Sequence, residues 1–152
     1  MNRLNFLAYL FFASFLIGCG GETVQSDLRT VSMTIGSKQF TLEVADSMAA
    51  QEHGLMQRDS MPTLHGMIFV FADETEHNFY MKNTRIPLDI LFLAHDGRII
   101  SMATMQPYDL SLTPSGGPAK YAIELNAGAI KEAGVRPGQV LDVPADAREP
   151  KH

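Results

Sequence analysis

The stretch from Gly66 to Ile100, GMIFVFADETEHNFYMKNTRIPLDILFLAHDGRII, constrains the fold more than any other part of the chain. Its apolar runs are Gly66 to Phe71, His77 to Met81 and Ile86 to Leu93, each of strand length. The first is apolar on both faces, as expected of a strand covered on both sides. The third places Ile86, Leu88, Ile90 and Phe92 on one face and Pro87, Asp89, Leu91 and Leu93 on the other, so Asp89 is a single charge on an apolar face. Asp96-Gly97 suits a type I′ turn, which would pair Leu93 with Ile100 and Leu91 with Met102. A polar knot, Lys82-Asn83-Thr84-Arg85, separates the second and third runs.

The rest of the chain repeats this strand grammar. Val31 to Val44 predicts a hairpin, because Val31, Met33 and Ile35 alternate with polar residues and so do Phe40, Leu42 and Val44. A Gly36-Ser37 turn with glycine first suits type II′ and sets Met33 opposite Phe40 and Val31 opposite Leu42. Ser47 to His53 predicts a short helix stopped by Gly54, with Asp46 or Ser47 as its N-cap. Met105 to Ala119 holds three prolines and two glycines and reads as a long loop. Lys120 to Leu125 is another strand. Asn126 would cap a second helix through Ala133, with Gly134 after it, and Val140 to Val143 would be a last strand.

Strands therefore outnumber helices and follow one another directly. The expected fold is α+β and mostly antiparallel β, a small curled sheet or barrel-like domain closed by two short helices. It would occupy residues 31–144, and 145–152 would be a flexible tail.

The start of the chain reads as an address. Arg3 precedes an apolar run, Phe6 to Ile17, of signal-peptide length. Leu16-Ile17-Gly18-Cys19 resembles the bacterial lipobox, which would make residues 1–18 a signal peptide and Cys19 the lipidated first residue. Residues 19–30 would be the modified cysteine and a polar tether reaching roughly 17–20 Å. Two or more acyl chains hold a protein firmly, at ~0.8 kcal/mol per buried methylene. Gly20 stands where an inner-membrane retention signal would place aspartate. The expected location is thus the cell envelope, on the periplasmic face of the outer membrane in a host with two membranes.

Removing 18 of the 152 residues leaves 134, enough for one domain, and losing Arg3 takes the net charge from −5 to −6. No basic patch remains to grip nucleic acid. Cys19 is the only cysteine, so no disulfide forms within the chain.

Three groups of residues together are similar to the DUF192 (UPF0127) family. They are Glu52, Gly54, Leu55, Met56 and Arg58; then Gly66-Met67-Ile68-Phe69 with Phe71; then Phe79-Tyr80-Met81-Lys82-Asn83-Thr84 with Ile86-Pro87-Leu88-Asp89. Ile123 to Gly128 and Gly134 to Gly138 extend the resemblance, which covers roughly residues 31 to 143. Tyr80 departs from the usual tryptophan and His53 from the frequent arginine. The resemblance implies a small exported β-rich domain of undetermined biochemical activity.

Candidate site residues are Arg58, Tyr80, Lys82, Asn83, Thr84, Asp89 and Glu124, with the 106–118 loop as a rim. Asp89 and Glu124 each interrupt an apolar strand face, and a buried carboxylate without a partner is costly. The cluster is either a polar network that locks loops onto the sheet or a pocket for a small polar ligand or partner segment. A hydrolase acting on envelope polymers would use Asp89 and Glu124 as acid and base. A structural or assembly lipoprotein would instead show an exposed apolar patch. The sequence lacks a nucleophile elbow, a Cys–His pair and a phosphate loop, and points to no cofactor. His53, His65, His77 and His95 lack zinc spacing. Met56, Met61, Met67 and Met81 near His65 have Cu(I)-type chemistry, but Met67 and Met81 sit beside phenylalanines on strand faces and read as core.

Overall fold

The computed structural model describes residues 27–148. The expected signal peptide, Cys19 and most of the tether lie outside the described residues. Eight strands and two short helices are formed among those described. β1 (Thr30–Ile35) and β2 (Lys38–Ala45) form the expected hairpin, with Val31 opposite Leu42 and Met33 opposite Phe40. Gly36 alone takes the left-handed conformation in that turn, at φ 59°, as type II′ requires. α1 (Met48–His53) starts at Ser47, whose side chain accepts from the Ala50 N–H, and stops at Gly54.

β3 (His65–Thr75) then pairs with β2 in parallel, a departure from the antiparallel pattern. Residues 46–64 form the connection, and they are long enough for the crossover a parallel pair needs. β5 (Leu88–Leu93), β6 (Ile99–Met105) and β8 (Ala119–Asn126) complete a six-stranded sheet of order β1-β2-β3-β8-β5-β6. β4 (Asn78–Phe79) and β7 (Thr113–Pro114) form a separate ribbon. The fold is predominantly β and mostly antiparallel, with little helix. β1 and β6 are the two ends of the sheet order, so the sheet is open and the expected barrel closure is not formed.

Side-chain alternation splits the core in two. Ile68, Val70, Leu91, Leu93, Tyr121, Ile123 and Leu125 join the β1–β2 hairpin and α2 (Ala129–Ala133) on one face. Met67, Phe69, Leu88, Ile90 and Phe92 pack with Leu55, Met61 and Met81 on the other. The central strands β3, β8 and β5 are buried on both faces, which accounts for their unbroken apolar runs. Gly66 lies where β2 and β8 both press on β3. A Cβ there would stand 2.4 Å from the Glu124 carbonyl oxygen and 2.6 Å from Leu125 Cδ2. Gly66→Ala is therefore expected to cost about 2–3 kcal/mol by overpacking, read as a lower urea midpoint with an unchanged slope.

Local departures from expectation have local causes. The β5–β6 connection is not type I′. The Gly97 N–H bonds the Ala94 carbonyl, and only Gly97, at φ 82°, is left-handed. That geometry is a type I turn followed by a bulge, and it sets Leu93 opposite Ile99 while Leu91 still faces Met102. α2 begins after Gly128 rather than at Asn126, whose amide instead donates to the Met61 and Pro62 carbonyls. The His77 to Met81 run gives only the two residues of β4. Val140 to Val143 makes a single bridge, Arg98 to Val140, in place of a strand. Within the expected tail, Ala145–Ala147 winds a turn of 3-10 helix with Ala147 buried.

Candidate functional site

α1 and the Leu55-Met56 turn after it lie over the second face of the sheet. Between them and β3, β4 and β8 is a cleft of about 270 Å³. Gln51 fixes α1 there, its amide donating to the Ala45 and Val70 carbonyls at 3.2 and 2.8 Å.

Glu124 is the cleft's buried acid. Met67 and Ile90 flank it in register on β3 and β5, so its side chain shares their face. It is 6% exposed and lines the cleft. None of the described residues hydrogen-bonds its carboxyl, whose oxygens are not sealed from solvent and open on the cleft. Burial pushes its pKa up to about 8, against the opposing pull of the Arg58 charge. Arg58 itself is held in a fork by Glu43, with contacts of 2.6 and 2.7 Å, so it influences Glu124 from outside the cleft lining.

The walls are aromatic. Phe69, Phe71, His77, Phe79 and Tyr80 all line the space. Phe79 meets Phe69 edge-on at 5.0 Å and Phe92 at 5.5 Å, while His77 stacks on Phe71 at 3.6 Å. Burial holds the His77 pKa below its ordinary value, partly offset by the backbone carbonyls of Asp73 and Ala119. Its imidazole is thus neutral at neutral pH. Ser115, fully buried, anchors this turn by accepting from the His77 N–H at 3.1 Å. Met48, Glu52, His53 and Met56 also line it, with Gln51, Gly54, Leu55, Asn78 and Thr84, and no lysine or arginine does.

Of the seven residues singled out from sequence, Tyr80, Thr84 and Glu124 come together at the cleft. Lys82 and Asn83 are exposed and stand outside it. Their backbone carbonyls accept from Thr84 Oγ1 and the Gln57 N–H, so the polar knot is a loop lock. Asp89 is on the opposite face of the sheet, in register with Leu125, and holds α2. Its Oδ2 accepts from the Gly128 and Ile130 N–H groups at 2.8 and 3.0 Å, and its Oδ1 from Thr104 at 2.7 Å. Asp89 and Glu124 leave the sheet on opposite sides and form no acid–base pair. The 106–118 loop does not line the cleft either. It braces the site from behind, through β7 and the Met81 N–H bond to the Asp109 carbonyl. Met67 and Met81 are core residues, as their placement beside phenylalanines implied, and Met61 joins the same core.

Sequence reasoning missed the aromatic walls, His77 and the α1 residues. Phe69 and Phe79 look like any core phenylalanine until the crossover is in place. The one available signal was His77 between two aromatic-rich runs.

Among the described residues no group of three or more His, Cys, Asp or Glu side chains is placed to hold a metal ion. No curated protein matches the chain. A crystal structure of a proposed transcription regulator from Sinorhizobium meliloti 1021 is similar, with 36% identity, a TM-score of 0.72, and coverage of 78% of this chain and 96% of that one. A protein of unknown function from Novosphingobium aromaticivorans DSM 12444 is similar at 33% identity and a TM-score of 0.67, covering 76% of this chain and 85% of its own. The profile of DUF192, described as Uncharacterized ACR, matches residues 31–143. The chain belongs to the DUF192 family.

Proposed function

We propose that the protein is a lipid-anchored cell-envelope domain that binds a small ligand in the cleft over Glu124. The observation that carries this is a carboxyl, almost wholly buried and free of hydrogen bonds from the described residues, facing an aromatic-walled space. Burying such a group without a partner costs stability, and a bound molecule would supply the partner. The ligand is less polar than the sequence alone suggested, since the two carboxyls of the lining, Glu52 and Glu124, stand among rings.

Anchoring rests on Cys19 behind Leu16-Ile17-Gly18, eleven residues before β1. The domain would sit near the membrane surface, on the periplasmic face of the outer membrane where there are two. The regulator name given to the Sinorhizobium protein is not carried over, because a chain of net charge −5 has little to offer a phosphate backbone.

Thermal shift against envelope metabolites tests the reading. A binder should raise the midpoint of the native protein and lose that effect in Glu124→Gln. A library in which nothing raises it would remove the proposal. Mass spectrometry of the mature N-terminus checks the anchor, with a diacylglyceryl adduct on Cys19 expected.

Tyr108, Leu110 and Leu112 are 61, 67 and 64% exposed on one loop, and they support a second reading, an assembly contact. Crosslinking from Leu110 that captures no partner in the envelope would set it aside.

A further inference from the structure

We propose, on the basis of the ligand-binding reading above, that the cleft takes an organic cation. The ligand would be an alkylammonium group on a short apolar body, with Glu124 as its counter-ion and Phe69, Phe71, Phe79 and Tyr80 around the body. Charge, shape and cost all favour this class.

The lining carries two carboxyls, Glu52 and Glu124, and no lysine or arginine. His77 adds no positive charge, because burial holds it neutral. An anion entering this space would find no lysine or arginine in the lining to pair with. A neutral apolar molecule would suit the rings but leave Glu124 without a partner. An ammonium group satisfies both, since aromatic faces attract cations and a desolvated carboxylate is its strongest hydrogen-bond acceptor. The volume, about 270 Å³, is that of about nine waters at ~30 Å³ each, enough for a four-carbon amine.

Arg58 does not already fill the role. Its guanidinium is forked onto Glu43, and it reaches Glu124 only as a charge at a distance. The other ionisable groups around the cleft are Glu52 and His53 from α1, and His77 and Tyr80 from the segment carrying β4. Near neutral pH, Glu124 holds its proton. Entry of an ammonium ion expels that proton to solvent, so binding tightens as pH rises. The cation can arrive as a free amine or as the lysine side chain of a polypeptide.

An NMR titration of the full-length protein distinguishes these cases. The probes are n-butylammonium chloride, 1-butanol, sodium butyrate and Nα-acetyl-lysine amide, at pH 7. Butylammonium is expected to bind and to move the Glu124 carboxyl resonance to its ionised position. Glu124→Gln should weaken binding at least tenfold. Tyr80→Ala, at an exposed position that folding tolerates, should weaken it about three- to tenfold. Tighter binding of the lysine amide than of butylammonium would assign the site to a polypeptide, and weaker binding to a free amine. Butanol or butyrate binding as well as butylammonium, or a Glu124 resonance that does not move, overturns the cation while leaving a ligand cleft. Silence from all four probes overturns the cation, and the ligand cleft itself falls only if the thermal-shift library is silent as well.

Discussion

Asp89→Ala is expected to lower the melting temperature by more than about 10 °C without disturbing the cleft. Asp89 is 2% exposed and accepts three hydrogen bonds, from the Gly128 and Ile130 N–H groups and from Thr104. Alanine leaves the first two as orphan donors at the start of α2, which covers the core face carrying Leu125 and Ile123. Hydrogen bonds to a charged group contribute about 1.5–3 kcal/mol each, and orphaned partners add their own cost. The sum is not additive, and a loss of about 3–5 kcal/mol is expected, in the range for breaking a buried charged network. Asp89→Asn keeps an oxygen for α2 and should lose roughly half as much. Urea denaturation of both variants measures this, and a loss under 1 kcal/mol for alanine would mean that α2 does not depend on Asp89. Ligand binding should survive in the folded fraction, because the cleft is on the other side of the sheet.

Glu124→Gln has the opposite sign under the right conditions. The carboxyl's pKa is raised by burial to about 8 from a reference of 4.5, so the fold favours its protonated form. Below about pH 4.5 both folded and unfolded chains hold the proton and no penalty exists. Between about 4.5 and 8 the unfolded chain has released it and the folded chain has not, so native stability falls as pH rises. Above about 8 the folded carboxyl ionises as well, and the penalty levels off at a few kcal/mol. Glutamine carries no such charge. The variant should match the native protein near pH 5 and exceed it by several degrees at pH 8.5. Parallel melting curves across that range would show Glu124 to be ionised, or solvated, in the native state. Arg58→Met should extend the native decline to higher pH, since its charge opposes the upward push of burial on the Glu124 pKa.

The hairpin was legible to the residue. Gly36-Ser37 fixes a two-residue turn, and alternation on both arms agrees with it, so local chemistry and burial demand one register. Asp89 and Glu124 were equally visible as lone charges in apolar strands. Their sides of the sheet were not. The pairing of Ile90, and not Asp89, with Glu124 is settled by long-range register, and a slip of one residue would have put both carboxyls on the same face. Asn126 illustrates a different failure. It is the better capping residue by propensity, yet its amide is drawn off by the carbonyls of Met61 and Pro62, and Asp89 caps the helix from a neighbouring strand. The aromatic walls were hidden for a third reason. Phe69 and Phe79 serve the core and the cleft at once, and composition has no mark for that double use.

β2 and β3 lie side by side in the same direction, and the strip of chain that joins them, residues 46–64, also carries α1. The β1–β2 arms can zip locally, within microseconds, while alignment of β3 must wait for a much longer loop to shut. The pocket needs both β3 and α1 in place. Refolding is therefore expected to recover ligand binding no earlier than the docking of β3 beside β2. A bound guest would then prolong the native lifetime and leave the speed of assembly unchanged.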